Sequence, residues 1–364
     1  MNTISFRNLF LFLVLLPFLA SAYVNPDWKG AHTKVKTIKK EFTVNSNALL
    51  QVDNSYGNIS VMTYSGDKIR IEVVIKTNSN NEAKAKEKLD EITVDFTNGP
   101  NTVTAKTIFN KNNSRSWWKS WRSSNVSMEI NYIINLPITN SVNIKNDYGS
   151  INLEKLEGRA ILKCDYGKIT TKELMADNNS ISFDYTHNSY FEYIKSGDIN
   201  ADYSDYTVSK AKHLNINADY TKSVVKFAED INYSCDYGSL TAENVNNLKG
   251  DGDYLTLVIG NVYKNLDIES DYGSIKIEKM AANAGNVNID SDYTGITIGY
   301  DPSYSFRFEL DLSYANLRES DGFEFTKKKI ESTKKYYSGH YGNPSTANLI
   351  KVDSEYGSIT FKKK

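Results

Sequence analysis

The sequence predicts an all-β fold: a β-solenoid, a right-handed parallel β-helix of about 18-residue coils, with one short helix in the N-terminal region. Three observations carry this. A short phrase built on Asp-Tyr-Gly recurs from Asp147 almost to the C-terminus; from Tyr148 to Tyr314 its tyrosines step by 17 to 21 residues. Apolar or small residues alternate with polar ones on either side of it. The alternation slips at each copy, where Gly or a small polar residue follows the tyrosine. A short, regular period marks a stacked array.

The clearest copies are Asp147-Tyr148-Gly149, Asp165-Tyr166-Gly167, Asp236-Tyr237-Gly238 and Asp271-Tyr272-Gly273. Looser ones keep the tyrosine and change its neighbours, as at Asp184-Tyr185-Thr186 and Asp253-Tyr254-Leu255. Glu355-Tyr356-Gly357 closes the series, and Ser55-Tyr56-Gly57 stands alone near the N-terminus. In Leu214-Asn215-Ile216-Asn217-Ala218-Asp219-Tyr220, counting by twos sends Ile216, Ala218 and Tyr220 inward and Asp219 outward. The tyrosines would then form an internal ladder, each hydroxyl needing a polar partner. The outward Asp would accept a backbone N–H about two residues on, as Asx turns do. Each repeat reads as strand, corner, strand, loop.

An aspartate recurring at every coil could also hold calcium. That ion needs six to eight oxygens converging on a point, whereas these carboxylates form a line, and no metal or other cofactor is expected. His32, His187, His213 and His340 are scattered without metal-ligand spacing.

Composition narrows the class. The 364 residues carry 43 basic and 44 acidic side chains, without the basic excess of a nucleic-acid binder. Twenty-five tyrosines, 20 glycines and only six prolines suit a β-rich chain with many turns. Residues 1–22 read as a signal peptide: Arg7, an apolar run from Leu9 to Leu19, then Ala20-Ser21-Ala22 as a cleavage site. The run is shorter than the ~20 residues a membrane span needs. No transmembrane segment is expected after its removal, and the protein is expected to be exported, to the periplasm or outer cell surface.

Exported cysteines invite a disulfide. Cys164 and Cys235 both precede the Asp of a motif copy, four coils apart. At ~4.8 Å per coil their Cα atoms would be about 19 Å apart, beyond the ~7 Å a disulfide tolerates. Both should be buried free thiols, at a small-residue position that Ala201, Ala218 and Ser270 fill elsewhere.

In chain order, residues 23–34 are a polar lead-in and 35–140 a β-rich N-terminal region. Within it Ser79-Asn80-Asn81-Glu82 reads as a capping box for a helix over about 79–92, with Ala85, Leu89 and Ile92 on one side. A Trp-rich loop spans 114–124. The array proper covers 141–364, with a loop excursion at 323–349 carrying Lys327 to Lys329 and Lys334-Lys335-Tyr336-Tyr337.

In Ser114-Arg115-Ser116-Trp117-Trp118-Lys119-Ser120-Trp121-Arg122, three of the four tryptophans lie within five residues. Trp faces suit sugar rings or lipid headgroups, and Arg115, Lys119 and Arg122 favour anionic partners. Trp117, Trp118, Trp121, Lys119 and Arg122 are therefore the candidate ligand-binding residues. The competing role is a cap over an open end of the array.

A signal peptide, the Tyr56-Gly57-Asn58-Ile59 turn, a helix-interrupted strand region, the Trp-Trp-Lys-Ser-Trp loop and the long Asp-Tyr-Gly ladder together resemble the putative-adhesin family. These are exported domains of unknown function, common in Bacteroidetes. The resemblance spans nearly the whole chain after the signal and implies a β-helical stack in the cell envelope. It supplies no catalytic residues.

The expected function is adhesin-like binding or scaffolding without catalysis, with an envelope polysaccharide or another envelope protein as partner and no nucleic acid. The alternative is a carbohydrate-active β-helix enzyme, a polysaccharide lyase or hydrolase, which needs acids clustered off the repeat with Arg or Lys beside them. Here the acids follow the ladder.

Overall fold

The structure, a computed structural model, describes residues 28–109, 125–318 and 321–364. It is nearly all β, with one α-helix among the described residues. The signal segment lies outside them.

Two ladders of parallel strands run through the molecule. One contains the strands leading into each motif. Ser141–Asp147 pairs with Ala160–Asp165, that strand with Asn179–Asp184, and the series continues so that Asp147, Asp165, Asp184, Asp202 and Asp219 are successive register partners. The other contains the strands leaving it, as where Thr256–Val262 pairs with Ser274–Met280 and that strand with Gly295–Tyr300. Each strand thus hydrogen-bonds the equivalent strand one repeat away. The alternation forms the core: Ile216, Ala218, Ile268, Ile275 and Ile277 are all buried, while their outward neighbours are wet.

Spatial order departs from chain order at both ends. The early strand Leu49–Ser55 pairs in parallel with Ser141–Asp147, and Ile59–Tyr64 with Ser150–Leu153, so the isolated Tyr56 motif is the neighbour of Tyr148. Near the C-terminus, Leu349–Glu355 lies between Val287–Asp292 and Phe306–Ser313. Ile359–Lys363 likewise separates Gly295–Tyr300 from Leu317–Arg318. The motif at Tyr356 is slotted beneath the one at Tyr314.

Antiparallel strands finish both ends. His32–Thr43 pairs with Lys68–Ser79, which pairs with Val126–Pro137; Ile92–Asn98 pairs with Thr102–Phe109. At the far end Phe306–Ser313 is covered by Lys334–Tyr341 and that strand by Phe323–Ile330. The expected loop excursion at 323–349 is therefore largely a β-hairpin. Its alternation is masked because Phe323–Ile330 has one partner strand among the described residues and is exposed along most of its length. Lysines on such an edge discourage pairing with another chain. Phe306, Phe308 and Phe361 pack beneath the hairpin against its Phe323 and Tyr341.

The helix runs Glu82–Glu91. Its N-cap is Asn81, whose Oδ1 accepts the Lys84 N–H at 3.1 Å, two residues later than the expected cap. Ser79 accepts the Asn81 N–H instead. Ala85 and Leu89 are buried, and the Thr77 hydroxyl donates to the Ala85 carbonyl.

Candidate functional site

The motif corner is where the structure differs most from the alternation rule. At each copy the tyrosine has a positive φ, between 50° and 64°. This left-handed conformation costs an L-residue other than Gly or Asn roughly 1–2 kcal/mol. It also turns the chain, so the side chain after Asp219 stays outside instead of alternating in. Tyr220 is 50% exposed, and the tyrosines from Tyr148 to Tyr356 lie between 46% and 60%. The expected internal tyrosine ladder is an external one.

The rings stack. In spatial order Tyr56, Tyr148, Tyr166, Tyr185, Tyr203, Tyr220, Tyr237, Tyr254, Tyr272, Tyr293, Tyr356 and Tyr314 form one unbroken column. Neighbouring centroids are 4.5 to 5.1 Å apart and planes are within 10° of parallel. Phe109 meets Tyr56 edge-on at one end. Aromatic pairs contribute about 0.5–1.5 kcal/mol beyond burial, which only about offsets the backbone cost. Gly or Asn would occupy this corner at less strain, so folding alone does not demand an exposed phenol at every rung.

The residue after the tyrosine points inward and is of three kinds: glycine, a hydroxyl residue, or the buried apolar Leu255 and Ala315. A Cβ built on Gly149 would lie 1.8 Å from the Gly57 carbonyl oxygen, and one on Gly167 2.0 Å from that of Gly149. Backbone approaches backbone there, and only glycine fits. At the Ser and Thr copies the hydroxyl is buried and can bridge rungs: Thr221 Oγ1 accepts the Ser204 N–H at 3.1 Å and donates to the Ala201 carbonyl at 2.9 Å.

The aspartates stand beside the phenols. Asp202, Asp219, Asp236 and Asp271 each accept, through Oδ1, the backbone N–H of the Asp one rung on, at 2.8 to 3.3 Å. The expected Asx turn is replaced by this rung-to-rung bond. The register brings the next Asp N–H opposite the carboxylate, while the left-handed tyrosine turns the following backbone away. Asp147 and Asp165 hold Oδ2 near Lys145 and Lys163, at 3.4 and 3.8 Å. Crowding shows in the acidity: burial, then Asp165 and Asp202, raise the Asp184 carboxyl. Burial, then Asp236 and Asp271, do the same at Asp253. Tyr166, Tyr203, Tyr237 and Tyr293 are raised by burial first and by neighbouring phenols next.

Two and four residues before Asp202, Asp219 and Asp236 the same wall is largely amides. Asp198, Asn200, Asn215, Asn217, Asn232 and Ser234 line a shallow groove. Asn215 Nδ2 donates to Asp198 at 2.8 Å and Asn232 Nδ2 to Asn215 at 3.0 Å. The face thus offers donors and acceptors repeated at the rung spacing.

Of the residues singled out by sequence, Asp147, Tyr148, Asp165, Tyr166, Asp236, Tyr237, Asp271 and Tyr272 all belong to the column and its acidic flank. Trp117, Trp118, Trp121, Lys119 and Arg122 lie outside the described residues. Cys164 and Cys235 are buried and free; Cys164 Sγ donates to the Gly149 carbonyl, and burial pushes both thiols up to about 12. Their position is not reserved for small residues, because Phe183 and Asn146 are register partners of Cys164. His187 and His213 each meet one carboxylate, Asp205 and Asp230, at 2.8 Å. Among the described residues no three His, Cys, Asp or Glu gather at one point, and no helix is long and apolar enough to cross a membrane.

No family model and no curated protein matches the chain. Among solved structures it is similar to a putative adhesin from Parabacteroides distasonis at 9% identity and TM-score 0.32, over 92% of this chain and 98% of that one. A putative adhesin from Parabacteroides merdae is similar at 11% and 0.34, over 90% and 96%. A putative lipid binding protein from Parabacteroides distasonis is similar at 10% and 0.35, over 89% and 96%. The first two carry the same description as the family that the motif ladder resembles.

Proposed function

We propose that this chain is an exported β-solenoid, a parallel β-helix of the putative-adhesin kind. It acts by binding or scaffolding in the cell envelope and does not catalyse a reaction. The observation that carries this is the column of phenols, unbroken over twelve rungs and about half exposed, where glycine or asparagine would fold as well. A long lateral face with one hydroxyl per rung, a carboxylate on most rungs and amides on several suits an extended, repeating partner, and an envelope polysaccharide is that kind of molecule. Four of the ladder aspartates, Asp202, Asp219, Asp236 and Asp271, already hold backbone N–H groups of the next rung.

A glycan array tests the reading. It would compare the purified chain with a variant carrying Tyr220→Asn, Tyr237→Asn and Tyr254→Asn, because asparagine tolerates the left-handed corner. A second variant replaces Trp117, Trp118 and Trp121 by Ala. Binding lost in a folded tyrosine variant makes the column the recognition surface. Binding lost only in the tryptophan variant moves recognition to that segment. No binding by the parent chain removes the polysaccharide reading and leaves scaffolding.

A further inference from the structure

The column has a chemical property independent of any partner. Its phenols are oxidisable, accessible to solvent and held ring over ring at 4.5 to 5.1 Å. Other exposed tyrosines are not so placed. Tyr263 is 47% exposed, as open as the column, yet its hydroxyl meets Asn244 and it stands outside the stack. Tyr206 and Tyr233 are buried in the core. The protein therefore contains phenols that are stacked and accessible, accessible alone, or buried.

We infer that the tyrosine column is an oxidative cross-linking site, in which a one-electron oxidant such as a peroxide-fed peroxidase joins neighbouring rungs as dityrosine. The oxidant takes one electron from each of two phenols, and each phenolic proton passes to water. The two phenoxyl radicals form one carbon–carbon bond between the ring positions ortho to oxygen. The two ring hydrogens then shift to the oxygens and restore both phenols. In sum, two tyrosines and one hydrogen peroxide give one dityrosine and two waters. Stacking favours the step twice. A radical can exchange with the next ring until it meets a second one, and the coupling partners are already neighbours. The product would tie one rung covalently to the next, a connection that Cys164 and Cys235 cannot supply.

The threading makes the product pattern diagnostic. Tyr293 and Tyr314 are consecutive ladder tyrosines in the chain, but Tyr356 lies between them in space. Tyr56 neighbours Tyr148 despite the whole N-terminal region between them.

The experiment treats the dilute, folded full-length chain with peroxidase and limiting hydrogen peroxide. It reads dityrosine fluorescence and maps joined peptides by mass spectrometry. Tyr56–Tyr148, Tyr293–Tyr356 and Tyr314–Tyr356 links are expected beside regular ones such as Tyr220–Tyr237. Yield should fall roughly tenfold when the chain is first unfolded, as proximity is lost. Tyr356→Phe keeps a ring in the stack and should remove both of its links while sparing Tyr220–Tyr237. The inference is overturned if links are mainly between molecules, if Tyr263 couples as often as the column, or if Tyr293–Tyr314 equals Tyr293–Tyr356. Oxidation that leaves only unlinked tyrosine products overturns it too.

Discussion

The ring of Tyr356 lies 4.5 Å from that of Tyr293 and nearly parallel to it, although Tyr314 comes between them in the chain. That contact places strands Leu349–Glu355 and Ile359–Lys363 inside the stack. A chain ending at Asn348 would lose an interior layer. Val287–Asp292 and Phe306–Ser313 would each lose a parallel partner. Limited proteolysis should then cut residues 301–348 quickly while leaving the 141–300 region protected. Unchanged protection of the hairpin in the truncated chain would contradict the threading.

Tyr220 separates stacking from backbone strain. Tyr220→Ala loses two ring contacts and keeps the left-handed strain, so it should destabilise by about 1–3 kcal/mol. Tyr220→Gly loses the same contacts but sheds ~1–2 kcal/mol of strain. The glycine variant should be the more stable of the two by urea midpoint, the reverse of the usual preference within strands.

The direction of the tyrosines was not legible in the sequence, and the reason is local. Alternation holds up to Asp219 and fails at one residue, because counting by twos presumes extended backbone and Tyr220 is left-handed. Ile216 and Ala218 were read correctly, since no such residue interrupts their strand. The Tyr56 rung was hidden by the strands and helix between it and Tyr148. The Tyr356 rung was hidden by a hairpin whose length preserved the period. The carboxylate bonds could not be foreseen either, because they join residues one repeat apart that meet only once the register is set.

Glycines at the corner differ sharply in tolerance. Gly149→Ala would press its Cβ against the Gly57 carbonyl, and Gly167→Ala against that of Gly149. Each should cost about 3 kcal/mol, at the upper end for overpacking in a close-packed site. Gly295→Ala meets nothing within 4 Å and should be close to neutral. Thermal unfolding of the three variants checks the contrast; equal effects would remove the close-approach account.

Asp184 gives the pH dependence its sign. Its carboxyl is raised by burial and by Asp165 and Asp202, so the folded state holds its proton more tightly than the unfolded chain does. Its stability contribution is fully present below the unfolded carboxylate range and is lost as pH rises through the folded value. At pH 7 Asp184→Asn should therefore stabilise the protein, and the advantage should shrink on acidification into the carboxylate range. Urea unfolding at neutral and acidic pH measures this; a variant destabilised at pH 7 would show that the hydrogen bond the carboxylate accepts from the Asp202 backbone outweighs the crowding.

Both thiols should be silent in the folded protein. Burial pushes Cys164 and Cys235 up to about 12, leaving almost no thiolate at pH 8. A disulfide-exchange reagent should titrate two thiols in urea and essentially none without it. Fast reaction of either thiol in the native state would place it at the surface.

The slot that receives residues 349–363 also sets an order of events. A ribosome makes the strands from Phe306 to Tyr341 before the segment that must lie beneath them. Phe306–Ser313 can pair with the hairpin on the growing chain, but it and Leu317–Arg318 lack their parallel neighbours until the later segment emerges. The last layer at this end is therefore closed by an insertion between strands already made.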